Sequence, residues 1–88
     1  MLKQVIKVQN KYGVHARPAA MLVKLAKNFR SDFKIVKDDL EINGKSIMGV
    51  MMLAAEFGAE IEIIADGEDE DYLVEEVMKL FASKFNED

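Results

Sequence analysis

Apolar and polar positions change rhythm seven times along the chain, and each rhythm predicts one element. Val and Ile interleave with Lys and Gln over 3–9, which reads as a half-buried strand closed by Asn10-Lys11-Tyr12-Gly13. Leu22, Leu25, Ala26 and Phe29 then recur at i, i+3, i+4 and i+7, so a helix is expected with that stripe inward. Arg17, Ala20, Lys24 and Lys27 fall on its opposite face. Pro18 lacks an N–H and belongs in a first helical turn, which places the helix start near Ala16. Two short apolar runs, 33–37 and 40–43, flank Asp38-Asp39 and predict two strands joined by a tight turn. Ser46 is a good helix opener, and a second helix is expected through about Ala55, ending near Phe57-Gly58. Glu and Ile alternate over 60–65, a fourth strand. A last helix over 69–84 turns Leu73, Val77, Leu80 and Phe81 inward, with the four acids 68–71 at its positive end and Lys84 in its last turn.

The resulting order, β-α-β-β-α-β-α, contains no repeat, low-complexity tract or linker. Helices that all cover one face of a small, mostly antiparallel sheet make a two-layer α+β domain. With 88 residues, 50% of them hydrophobic, the chain supports one such core and no second, so a single domain over 1–88 is expected. The longest uncharged apolar run, 47–55, is nine residues, less than half of the ~20 that cross a bilayer, so no membrane insertion is expected. Lysines interrupt the apolar residues of Met1-Leu2-Lys3-Gln4-Val5-Ile6-Lys7, which leaves no signal-peptide core and places the protein in the cytoplasm. No cysteine and a single histidine exclude thiolate and histidine-rich metal sites, and neither metal nor cofactor is expected.

Charge is split along the chain. Residues 1–65 hold ten of the twelve basic residues against seven acids, and 66–88 hold two against nine. The net charge of -4 is therefore +3 followed by -7. Five basic residues and no acid occur from Lys11 to Arg30, and His15 lies among them. Such a run either solvates a helix face or meets an acidic partner. Nucleic acid fits poorly with a pI near 5.0, and no basic aromatic sheet surface of an RNA-binding domain is evident.

Candidate chemistry sits in Gly13-Val14-His15-Ala16-Arg17-Pro18. A helix starting near Ala16 puts His15 at the N-cap, beside the free N–H groups and positive end of the first turn. That environment welcomes an anion, including a phosphoryl group attached to the imidazole, with Arg17 as a planar donor fork. A lone histidine after a turn is also commonly a plain cap or surface residue, and the residues alone leave both readings open. The stretch from Ser46 to Ala55 carries no charge and is apolar nearly all round, although a two-layer domain covers only one side of it. If Val50, Leu53, Ala54 and Phe57 face inward, then Ile47, Met48, Met51 and Met52 form an exposed patch suited to a partner. The set Ile47, Val50, Met51, Ala54 is equally periodic. Ser46 is most simply an N-cap.

Together, Gly13-Val14-His15-Ala16-Arg17-Pro18-Ala19 and Lys45-Ser46-Ile47-Met48-Gly49-Val50-Met51, at this spacing, resemble the histidine-containing phosphocarrier family HPr of the bacterial phosphoenolpyruvate-dependent sugar phosphotransferase system. The resemblance covers the whole chain. It implies an open-faced β-sandwich, four antiparallel strands under three helices, and a carrier rather than a turnover enzyme. Enzyme I would pass phosphate from phosphoenolpyruvate to Nδ1 of His15, supported by Arg17, and enzyme II A domains would receive it. The resemblance also implies a regulatory phosphorylation at Ser46 by an ATP-dependent kinase/phosphorylase, read by a transcriptional regulator of carbon catabolite repression. Docking would use Ile47, Met48 and Met51 with a basic rim of Arg17, Lys24 and Lys27. A monomer is expected. Two positions depart from many relatives, which carry a hydroxyl residue in place of Ala20 and a small polar one in place of Tyr12. The alternative is a regulatory module acting through Ser46 without sugar transport; a regulatory paralogue of the family lacks the active histidine, and His15 argues against that identity.

Overall fold

The computed structural model describes residues 1–87, and Asp88, the last residue of the expected domain, lies outside them. The elements are β1 (Leu2–Lys7), α1 (Ala16–Ala26), β2 (Asp32–Lys37), β3 (Leu40–Asn43), α2 (Ile47–Met52), β4 (Glu60–Asp66), α3 (Glu70–Ala82) and a short left-handed turn, Lys84–Asn86. The strands form one antiparallel sheet in the order β1-β4-β2-β3. Period-two alternation sends Ile6, Phe33, Ile35, Ile42, Ile61, Ile63 and Ala65 to the covered face. The three helices pack there and leave the other face open, as expected.

Two expected inward stripes shift by a residue or more. In α1, Leu22 and Ala26 are buried, but Ala19 and Val23 complete the buried face, while Leu25 and, beyond the end of the helix, Phe29 are only half-buried. In α3, Val74 joins Leu73, Val77 and Phe81, and Leu80 is half-buried at the margin. The larger correction concerns α2, which stops at Met52. Ala54 takes a left-handed φ of +49° and breaks the periodicity, so Ala54 and Phe57 are exposed while Val50, Leu53 and Ala55 are buried. The turn after α2 is held by Lys37, whose Nζ lies 3.3 Å from the Ala54 carbonyl and 3.1 Å from Glu56 Oε1.

Glu70 and Asp71 stand in the first turn of α3, as expected, but Asp69 acts differently from a simple dipole partner. Asp69 makes no cap bond to its own helix; its carboxylate accepts the Ser31 hydroxyl and the N–H groups of Arg30 and Ser31, both at 2.9 Å. Those donors, the Ser31 hydroxyl foremost, hold the Asp69 carboxyl down at about 2 from an ordinary 3.8. A lowered carboxyl pKa adds stability that is complete above the unfolded value and lost as pH falls through the folded one. Asp69→Asn is therefore expected to lower the melting temperature clearly at pH 6, with the gap to wild type closing as pH falls from 4 to 2. Melting curves at pH 6, 4 and 2 check this, and a gap independent of pH would refute it.

The last turn departs furthest from the sequence expectation, which carried a right-handed helix to Lys84. Lys84, Phe85 and Asn86 have φ of +55°, +56° and +57°, at a cost of roughly 1–2 kcal/mol per residue for left-handed backbone. Phe85 compensates. Its ring is fully buried, 4.8 Å from the Phe81 centroid and tilted by 72°, an edge-to-face pair. This anchor aims Glu87, the residue after the turn, back toward the start of α1.

Candidate functional site

The loop between β1 and α1 is pinned by backbone bonds to the segment after α2. Val8 donates to the Ala59 carbonyl and accepts from Gly58, and the Val14 N–H donates to the Ala55 carbonyl at 2.8 Å. Gly13 makes this approach possible. Its φ is +68°, and a Cβ there would run into the Ala55 carbonyl oxygen and lie 2.9 Å from the Glu56 Cα.

His15 is the N-cap of α1, as its place before Ala16-Arg17-Pro18 predicts, with φ -87° and ψ -166°. Its carbonyl accepts the Ala19 N–H at 2.9 Å. Pro18 has no N–H to offer, so the N–H groups of Ala16 and Arg17 are the open donors of the first turn among the described residues. The imidazole makes no cap bond. It projects outward, 43% exposed, with the Tyr12 ring edge-on at 6.3 Å between centroids. The Lys11 ammonium lies over the Tyr12 ring, 5.5 Å from its centre, a cation–π contact beside the loop that carries His15.

Arg17, Lys24 and Lys27 are all exposed and run from the first turn of α1 to its C-cap, and Ala20 shares that exposed face. Ser46 is the N-cap of α2 and its Oγ accepts the Gly49 N–H at 3.1 Å. Ile47, Met48, Met51 and Met52 stand exposed beside it, at 44%, 76%, 45% and 65%. α1 and α2 pack on each other, so the basic face and the methionine patch belong to neighbouring helices. Of the two periodic sets on α2, the one that turns these four residues outward fits, although only Val50 and Leu53 of its inward members are buried.

Two participants escaped the sequence reading. Glu87 Oε2 lies 2.8 Å from His15 Nε2, and Glu87 Oε1 accepts from Asn10 Nδ2 at 3.2 Å. Asn10, a turn residue by sequence, is fully buried, and its amide also donates to the Gly13 carbonyl. No three His, Asp or Glu side chains converge on a metal-sized site among the described residues. No helix among them is long and apolar enough to cross a membrane.

The profile of the PTS-HPr family, described as the PTS HPr component phosphorylation site, matches residues 2–83. The chain belongs to the HPr family of phosphocarrier proteins. The phosphocarrier protein HPr of Treponema pallidum is 43% identical over 88 residues, covering 100% of both chains. Among solved structures, HPr of Thermoanaerobacter tengcongensis superimposes with a TM-score of 0.96 at 40% identity, covering 100% of this chain and 99% of that one. The HPr-like protein Crh of Bacillus subtilis, solved as a swapped-domain dimer, aligns with a TM-score of 0.71 at 42% identity over 98% of this chain and 94% of its own. Membership of the HPr family therefore gives no support to the expected monomer. The HPr fold agrees with the expected open-faced sandwich in element order, strand pairing and the single covered face.

Proposed function

We propose that this HPr-family carrier takes a phosphoryl group from enzyme I, charged by phosphoenolpyruvate, onto Nδ1 of His15 and passes it to enzyme II A domains during sugar uptake in the cytoplasm. The observation that carries the reading is the position of the His15 ring. His15 is the N-cap residue of α1, yet its ring makes no cap bond and stands exposed beside two open N–H groups. An anion attached to the ring is stabilised by those N–H groups and by the positive end of an 11-residue helix. Arg17, in the same first turn, supplies the planar donor fork that matches phosphate oxygens. Neutral imidazole is a competent nucleophile near pH 7, and phosphoimidazole gives the group up readily because the ring is a good leaving group.

Docking in this reading has two parts. Lys24 and Lys27 extend the positive face of Arg17 and steer an acidic partner, which speeds association, while Ile47, Met48 and Met51 bury apolar area and lengthen the life of the complex. Ser46, at the edge of that patch, is the second phosphorylation site, modified by an ATP-dependent kinase/phosphorylase and read by a catabolite-control transcription regulator.

Incubation with labelled phosphoenolpyruvate and enzyme I tests the proposal. One acid-labile label per chain is expected, absent in His15→Ala and taken up much more slowly in Arg17→Glu, whose carboxylate would face the incoming anion. Label that survives in His15→Ala would overturn the reading. A chain that takes label only at Ser46, from ATP, would favour the regulatory module instead.

A further inference from the structure

We infer that Glu87, held by buried Asn10, is a positioning residue for His15: it fixes the ring with its proton on Nε2 and the lone pair on Nδ1. The inference rests on the carrier reading for its consequence, but its geometry is independent of it. Both oxygens of Glu87 are engaged, Oε2 at 2.8 Å from the imidazole and Oε1 at 3.2 Å from the Asn10 amide. The Glu87 side chain is only 15% exposed, unlike a carboxylate that pairs by chance at a surface. Asn10 in turn uses its second amide hydrogen on the Gly13 carbonyl, so its NH2 end is fixed toward Glu87 and cannot be exchanged for the oxygen without setting oxygen against oxygen twice. Behind Glu87, the left-handed turn and the buried ring of Phe85 set the direction from which the carboxylate arrives.

The chemistry follows from the donor inventory. An ionised carboxylate only accepts, so the ring nitrogen it touches must carry hydrogen. In the neutral ring, that leaves the lone pair on Nδ1, on the side away from Glu87. During transfer, the Nδ1–P bond forms as the bond from phosphorus to the donor breaks, and no proton has to move. The proton stays on Nε2, the ring gains a positive charge, and that charge faces the carboxylate. When the phosphoryl group leaves, the bonding pair returns to Nδ1. Glu87 thus does for this imidazole what a buried carboxylate does for a catalytic histidine elsewhere: it selects the tautomer, fixes the ring plane and stabilises the charged ring that transfer creates.

Because His15 is the only histidine, its two ring nitrogens can be read directly by 15N NMR in histidine-labelled protein. In the unphosphorylated wild type, the neutral ring should show a protonated Nε2 and an unprotonated Nδ1. In Glu87→Ala the two resonances should move toward each other as the tautomers mix, the turnover number for label uptake from enzyme I should fall roughly tenfold with KM unchanged, and Glu87→Asp should recover part of both. The near-isosteric Glu87→Gln, with the melting temperature measured alongside, guards against an effect of lost packing. Unchanged ring resonances in Glu87→Ala, or unchanged turnover, would overturn the positioning role. Wild-type protein that shows the fixed tautomer yet takes no label would instead overturn the carrier reading and leave the tautomer result standing.

Discussion

Alanine in place of Phe85 is expected to cost about 3–5 kcal/mol of stability, the range for removing a fully buried aromatic ring, and to lower the melting temperature by roughly 15–30 °C. Phe85 is completely buried and meets Phe81 edge-to-face, so its removal takes away both transfer free energy and a defined aromatic contact. The backbone around it adds to the loss. Three successive left-handed residues persist only while something over-determines them, and the ring is that anchor. In the fraction that remains folded, Glu87 should leave His15, so the 15N signature of the ring should change together with stability. Urea unfolding and ring 15N spectra of Phe85→Ala check both parts. A loss below 1 kcal/mol would mean that the turn 84–86 does not lean on α3.

The second large effect is expected at Ser46→Asp, which should slow labelling of His15 by enzyme I at least tenfold while leaving the melting temperature within a few degrees of wild type. Aspartate caps a helix as well as serine does, so the bond to the Gly49 N–H is kept. Any dipole gain is small because α2 has only six residues, shorter than its sequence predicts. The loss falls on docking. A partner that matches Arg17, Lys24 and Lys27 must present acids, and a new carboxylate beside Ile47 and Met48 repels them where the interface excludes water. A tenfold loss corresponds to only about 1.4 kcal/mol, well within what one misplaced rim charge can do. An unchanged rate would remove the electrostatic switch, and a slowed rate with a large fall in melting temperature would indicate misfolding.

The parts of the molecule legible in the sequence are those set by local rules. Pro18 fixes the first turn of α1, so His15 as N-cap could be placed to the residue, and Ser46 likewise. Apolar patterning and the turn residues locate all four strands within two residues of each end. The helix α2 misled because Ala54 adopts a positive φ without being glycine, and no sequence signal marks that break. The inward position expected of Phe57 rests on a periodicity that ends with α2, and Phe57 is exposed. The same blindness hid Glu87. A left-handed turn made of Lys, Phe and Asn looks like the fraying end of a helix, and only the pocket waiting for the Phe85 ring makes it worthwhile. In the sequence Asn10 is turn chemistry, since nothing local shows that its amide faces a carboxylate 77 positions away. Site residues that act by proximity across the fold are invisible to patterns read along the chain.

The strand order has a kinetic consequence. Only the β2–β3 ladder joins neighbours in sequence, whereas Leu2 must find Ala65 and Lys7 must find Glu60 before β1 has any partner at all. Ladders of this kind spend loop-closure entropy ahead of the contacts that reward it, so the sheet closes late relative to the helices. The loop that carries His15 begins where β1 ends and is fastened to the residues just before β4. In a refolding chain, helical signal should therefore rise first, and competence to accept a phosphoryl group should appear only with the final ladder.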